Sequence, residues 1–206
     1  KAAYYYLSRA FRPLSVAMTD EGLNGVAVHA ANDGALDASL ELRVALYRGM
    51  MGVGGAVARI TVPARSTLSH SVDQLIGSFT DVSYAYRFGQ PNHDVVVATL
   101  IDPETGDTVS EAFHFPAGLA NARATVSLET RVERLADDEC AVTFSADELA
   151  LAVAIEASGW SPSDNYFNVA PGSTRRIIMK SAGRPGSMAG RAAALNSASP
   201  LLFHAD

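Results

Sequence analysis

The side chains with which this sequence could build acid/base, nucleophilic, metal or sugar-stacking chemistry are few and scattered. His29, His70, His93, His114 and His204 stand singly, with no His-x-x-x-His or Cys-x-x-Cys spacing, so no local motif supplies the donors of a zinc site. No Gly-x-Ser-x-Gly elbow positions a nucleophile, and no glycine loop ending in Gly-Lys-Ser/Thr cradles a phosphate. Gly49-Met50-Met51-Gly52-Val53-Gly54-Gly55 has a Gly-x-x-Gly-x-Gly spacing, but it lies between two strand-like runs. With no helix after it, phosphates would have no helix N-terminus to sit on, and a hairpin tip is expected. Gln90-Pro91-Asn92-His93-Asp94 groups polar side chains in a turn without the regular oxygen spacing of a calcium loop. Glu41, Glu104, Glu111, Glu129, Glu133, Glu139, Glu148 and Glu156 all fall in strand or turn contexts. Trp160, the single tryptophan, sits in Ser158-Gly159-Trp160-Ser161-Pro162-Ser163, a loop where an indole either stacks on a sugar ring or caps a core. It is the one candidate for substrate binding; no catalytic residue, metal ligand or cofactor site is assigned.

The elements that must carry these residues follow from composition and period. A hydrophobic fraction of 48% over 206 residues supplies enough apolar surface for one large domain or two of about 100 residues. The net charge of −6 is spread along the chain, which argues against a nucleic-acid partner, since phosphate binding needs a clustered basic face. No run approaches the ~18 apolar residues of a membrane-spanning helix, so no membrane partner is expected. Cys140, the only cysteine, lies in Cys140-Ala141-Val142-Thr143-Phe144, where a buried thiol fits a strand. The 16 basic residues are 14 Arg and 2 Lys, a balance that goes with GC-rich bacterial coding; the sequence does not set the compartment, and a bacterial cytoplasm or periplasm is the expectation.

Residues 1–12 place Ala3, Tyr6, Leu7, Ala10 and Phe11 on one helical face, and Pro13 ends the helix. So short a helix needs a partner to dock on. The sequence starts at Lys1, inside the helical pattern, and a natural start further upstream is expected. From Leu14 the period changes to two. Strands are expected over Ser15–Thr19, Gly25–Ala31, Ser39–Tyr47, Ala56–Val62, Val82–Phe88, Val95–Ile101 and Thr108–Phe115, with turns at Asn32-Asp33-Gly34 and Asp102-Pro103-Glu104-Thr105-Gly106. Beyond a linker at Pro116-Ala117-Gly118 the pattern resumes over Ala124–Arg134, Cys140–Ser145, Leu149–Ala157, Tyr166–Val169, Thr174–Lys180 and Ala192–Leu195. Asp137-Asp138-Glu139 and Ala170-Pro171-Gly172-Ser173 are turn signals within it. The fold class is all-β: two Ig-like β-sandwich domains in tandem, at 14–117 and 118–206, preceded by a short N-terminal helix at 1–13.

Three stretches resemble a known family. Lys1-Ala2-Ala3-Tyr4-Tyr5 with Arg12-Pro13 resembles the last helix of the catalytic barrel of family 2 glycoside hydrolases of the β-mannosidase type. Tyr84-Ala85-Tyr86-Arg87-Phe88 and His93-Asp94-Val95-Val96-Val97-Ala98 resemble the Ig-like domain that follows it. Asp164, Asn165, Tyr166 and Phe167 after Ser163, with Pro171 and Gly172, look like the signature of the closing Ig-like domain. The resemblance implies that the helix is left over from a (β/α)₈ barrel and that the barrel of the same parent chain is the partner. It also implies a retaining O-glycosidase that removes terminal non-reducing β-D-mannose, with mannose-containing glycans as the second partner class. Such enzymes use two carboxylates about 5 Å apart on a barrel of about 250 residues, which cannot fit before Pro13. The Asn-Glu dipeptide of the acid/base is absent too, so no catalytic residue is carried over. Tails of exo-β-glucosaminidases and endo-β-mannosidases are similar, and a carbohydrate-binding β-sandwich module is the reading from another class. The Asp164–Phe167 motif itself needs no catalysis: its short polar side chains can bond nearby backbone in a turn, and Tyr166 and Phe167 then send one ring to each face of a strand.

Overall fold

The computed structural model describes residues 1–119, 125–181, 183 and 186–205. They form two compact units, Leu7–Ala122 and Lys1–Tyr6 with Arg123–Asp206. Each is a two-sheet antiparallel sandwich, as the alternating pattern requires.

In the first unit β1 (Leu14–Asp20), β2 (Val26–Asn32) and β5 (Ser66–Ser71) form one sheet in the order β1-β2-β5. The other sheet runs β4-β3-β6-β7, from β3 (Ala38–Arg48), β4 (Met51–Val62), β6 (Val95–Ile101) and β7 (Thr108–His114). Val16, Val26, Val28 and Ala30 of the first sheet meet Leu40, Leu42, Val44, Leu46, Val96 and Leu100 of the second in one buried cluster. Alternation buries every second side chain of β2, so Val26, Val28, Ala30 and Asn32 point inward. Asn32 is tolerated there because its amide donates to the carbonyls of Val62 at 3.0 Å and Leu36 at 2.9 Å.

In the second unit β8 (Leu128–Ala136), β9 (Glu139–Ala146), β11 (Trp160–Pro162) and β13 (Ser173–Ser181) form the sheet β11-β13-β9-β8. Opposite it runs β12-β10-β14-β15, from β10 (Ala150–Ala157), β12 (Phe167–Val169), β14 (Met188–Ala193) and β15 (Leu201–Ala205). Phe144 is the centre of this core, with Phe167 and Phe203 rings 5.8 and 6.1 Å from its own. Cys140 is buried in the same cluster, as expected of a core thiol.

Several local expectations need correction. Val82–Phe88 forms no strand: Tyr84 and Arg87 take positive φ of 55° and 53°, and the Tyr84 hydroxyl donates to the Gly89 carbonyl at 2.8 Å, closing a compact loop. Its place among the strands is taken by β5, whose Ser-Thr-Leu-Ser-His-Ser sequence is too polar to announce a strand. The glycine-rich stretch is a tip only at Gly49 and Met50; Gly52, Gly54 and Gly55 lie inside β4. At Gly55 any Cβ would strike the Val44 carbonyl, so the backbones of β3 and β4 approach closely only because the residue is glycine. Trp160 lies in β11 rather than a loop, β12 begins at Phe167 rather than Tyr166, and β14 ends at Ala193, before the expected 195. The expected strand start at residue 124 lies outside the described residues.

Helix α1 (Ala2–Ala10) forms where expected. Its half-buried residues are Ala2, Tyr5 and Arg9, whereas the predicted apolar face points outward, with Tyr6, Leu7 and the following Phe11 53%, 57% and 79% exposed.

His93 is 1% exposed, and its Nε2 donates to the Val82 carbonyl at 3.1 Å, while Nδ1 is buried without a hydrogen-bond partner. His114 is likewise desolvated, with Nε2 unpartnered. Burial is the largest influence and pushes both imidazoles below the ordinary value of 6.5; for His93 the neighbouring His114 adds to it, against the Val82 hydrogen bond, Asp94 and Asp81, and for His114 Asp20 opposes it. With the folded pKa values depressed, the unfolded chain takes up protons first as pH falls through 6.5, so stability is present above that value and declines below it. The melting temperature of the first unit is therefore expected to fall between 6.5 and the depressed folded values, and a His93→Gln, His114→Gln variant to show a flatter profile in calorimetric scans across that range.

Candidate functional site

The motif residues of the second unit are assembled around β10. Asp164 is nearly buried; one carboxylate oxygen accepts from its neighbour Asn165 N–H at 2.8 Å, and the other pairs with the Arg175 guanidinium at 2.9 Å. That guanidinium in turn lies over the Phe167 ring, 5.6 Å from its centre, so the ion pair is roofed by an aromatic face. Asn165 turns its amide toward the neighbouring strand. Its oxygen accepts from Ile155 N–H at 2.8 Å and Tyr166 N–H at 2.9 Å, and its nitrogen donates to the Ile155 carbonyl at 2.9 Å. Tyr166 adopts a φ of 55°, and its N–H also donates to the Val153 carbonyl at 2.8 Å. Phe167 goes into the core while Tyr166, which precedes β12 and is not part of the strand, stays half-buried. Pro171 and Gly172 reverse the chain: Gly172 takes a φ of 65°, and the Ser173 N–H donates to Ala170 at 3.0 Å.

Tyr5 completes the assembly. Its hydroxyl hydrogen-bonds the Asn165 side chain, and its ring lies 6.2 Å from that of Tyr166. Burial pushes the hydroxyl pKa up, against the hydrogen bond to Asn165. Beside these residues an open concavity of about 650 Å³ is lined by Lys1, Tyr5, Glu156, Trp160, Tyr166 and Arg191, among others. Trp160 is only 8% exposed and belongs to the hydrophobic core, so it offers the concavity an edge rather than a free stacking face.

The chemistry available here is limited. Glu156 is the one carboxylate among the described lining residues, and its Oε2 accepts from Arg191 Nε at 2.8 Å and Nη2 at 2.6 Å. A retaining glycosidase needs a second carboxylate about 5 Å away. Among the described residues no group of three or more His, Cys, Asp or Glu side chains is arranged to hold a metal ion. What the arrangement does perform is positioning, since Asn165 satisfies backbone groups that the sheet ladders leave over. Sequence inspection found the 164–167 motif but missed its partners Tyr5 and Arg175, and also Asn168 and Asn196, whose side-chain oxygens accept from Ala152 and Leu151 N–H, each at 2.9 Å. Arg175 sits in a plain alternating strand, and no spacing connects it to Asp164.

The clamp has measurable consequences. Asn165→Ala leaves the Ile155 backbone unsatisfied and is expected to cost about 3 kcal/mol in chemical denaturation. A double-mutant cycle with Asp164→Asn and Arg175→Met is expected to return a coupling of about 1 to 3 kcal/mol, and zero coupling would show that the pair is incidental.

Comparison with known proteins places this geometry. Residues 122–199 match the family model Ig_mannosidase, described as an Ig-fold domain. No curated protein matches the sequence. The fold is similar to that of the β-D-mannosidase from Dictyoglomus thermophilum, at 16% identity and a TM-score of 0.76, over 96% of this chain and 23% of that one. It is also similar to the exo-chitosanase CsxA of Amycolatopsis orientalis, at 15% identity and a TM-score of 0.64, over 98% of this chain and 28% of that one. The chain thus spans about a quarter of the length of the solved structures it resembles. At these identities the likeness is one of fold. Residues 122–199 carry the Ig-fold domain that the mannosidase family model describes, and the tandem sandwiches as a whole resemble the Ig-like part of larger family 2 glycoside hydrolases.

Proposed function

We propose that the chain is the non-catalytic, C-terminal accessory part of a longer glycoside hydrolase, a β-mannosidase-like enzyme that hydrolyses terminal non-reducing β-D-mannose residues. The observation that carries this is the fold likeness to a β-D-mannosidase over 96% of this chain but 23% of that enzyme, joined to the Ig_mannosidase match at 122–199. In this reading residues 1–13 close a catalytic barrel, 14–117 form the first accessory sandwich and 118–206 the second. The outward-facing stripe of Leu7 and Phe11 supports it, because a nine-residue helix gains little stability alone and these two apolar side chains are mostly exposed. The stripe is the surface on which the barrel packs, and Tyr5 on the opposite face hooks the helix to Asn165. The lone, paired Glu156 supports the assignment of chemistry to the barrel.

The resemblance to an exo-chitosanase favours a second reading of the sugar, in which the parent acts on β-linked glucosamine. The two readings differ only in specificity. This chain alone is expected to release no aryl alcohol from an aryl β-mannoside. A chain extended upstream through a barrel is expected to hydrolyse it in preference to the aryl β-glucosaminide. Hydrolysis by the 206-residue chain would overturn the accessory role, and reversed preference would overturn the mannose assignment.

A further inference from the structure

The loop that replaces the expected strand in the first unit has a feature that folding does not require. Phe79, Tyr86 and Phe88 form a contiguous aromatic surface: the Phe79 ring meets Tyr86 edge-on at 5.4 Å, and Tyr86 and Phe88 are stacked at 5.9 Å with an interplanar angle of 18°. They are nevertheless 72%, 39% and 83% exposed, so these rings contribute little to the core. Large exposed apolar patches of this kind mark interaction sites. The loop is also held in place. The Tyr86 hydroxyl donates to Leu23 at 3.2 Å, its N–H donates to Asp81 at 3.1 Å, Ser83 donates to Gly22 at 2.8 Å, and Val82 is fully buried.

We propose that Phe79, Tyr86 and Phe88 are a stacking platform for a neutral polysaccharide, on which the flat C–H face of a β-linked hexopyranose lies against Phe88. Two observations select this ligand class. Phe88 is parallel to Tyr86, and its exposure leaves a flat face free, the geometry that takes a ring-shaped ligand. The charge is wrong for the anionic ligands that also use exposed aromatics: residues 78–94 carry one base, Arg87, against Asp81 and Asp94, and the whole chain is at −6. Single-stranded nucleic acids and anionic lipid surfaces require a basic surround. The choice of β-linked hexose rests on the glycoside hydrolase reading above. The platform would hold polymer while the chain ends are processed elsewhere.

The test is an amide NMR titration of this chain with a β-1,4-manno-oligosaccharide hexamer and, separately, a glucosamine hexamer. Saturable shifts confined to residues 21–24 and 78–90 are expected, weakened about tenfold by Phe88→Ala, a substitution at an exposed ring that leaves the melting temperature unchanged. Shifts with the manno-oligosaccharide, with or without shifts from the glucosamine hexamer, support the platform, whereas shifts with the cationic glucosamine hexamer alone would overturn the neutral ligand class. Unperturbed spectra at millimolar sugar, shifts centred on Trp160, or sugar-independent self-association lost in Phe88→Ala would each overturn it. An extended chain that hydrolyses β-mannosides while this titration stays flat would sink the platform and leave the accessory role standing.

Discussion

The side-chain amide of Asn165 hydrogen-bonds both backbone groups of Ile155, taking the place of a neighbouring strand beyond Val153, the last β10 residue that β12 pairs with. β10 pairs with β12 at Ala150 and Val153, and with β14 from Ala154 to Ala157; between them the register slips and Ala152 is forced to a φ of 45°. Such a strand has backbone groups that no ladder can serve, and buried unserved groups cost about 1 to 3 kcal/mol each. Three asparagines meet the demand: Asn165 at Ile155, Asn168 at Ala152, and Asn196 at both Leu151 N–H and the Leu149 carbonyl. Asp164, paired to Arg175, holds the Asn165 backbone, and Tyr5 holds its side chain. The motif, read in the sequence as a turn whose short polar side chains bond nearby backbone, is a largely buried splint for the closing sheet, and Tyr5 of the first helix is fastened to it.

Legibility from sequence followed the physics of each element. Strands buried on one face, such as β2 and β3, announce themselves because alternation is the only way to present that face. The turns at Asp102–Gly106 and Ala170–Ser173 are legible because their chemistry is local: Asp102 caps Glu104 N–H, and Gly172 supplies the positive φ. Failures came where tertiary partners decide. Val82–Phe88 alternates aromatics as a strand would, yet Ser83 and Tyr86 bond residues some sixty positions away and the backbone bends to suit them. β5 and β11 carry too little apolar alternation to be seen and are strands because β2 and β13 offer them a free edge. For the helix, period told that an apolar face exists but not that Tyr5, outside that face, would make the attachment. Of the candidate site, Asp164–Phe167 and Pro171–Gly172 were visible as types in order, while Arg175 was invisible because an ion pair between strands leaves no spacing in one sequence.

These sandwiches divide their surfaces by task. The splint, the Asp164–Arg175 pair and the Phe144 cluster serve the fold. The helix stripe and the Phe79–Tyr86–Phe88 surface do not, since removing them from water would gain apolar burial that neither unit uses. In the proposed accessory role the stripe would meet a neighbouring catalytic domain and the platform a glycan.

The central claim is that a catalytic domain packs on the stripe of α1, and complementation in trans measures this most directly. An upstream barrel segment would be expressed separately and mixed with this chain, reading aryl β-mannoside hydrolysis and co-elution together. The account predicts that activity and a one-to-one complex appear with the wild-type chain and are lost with Leu7→Asp, Phe11→Asp, whose exposed positions leave the sandwiches folded. Equal complementation by both chains, or a barrel fully active and monomeric without either, would contradict it.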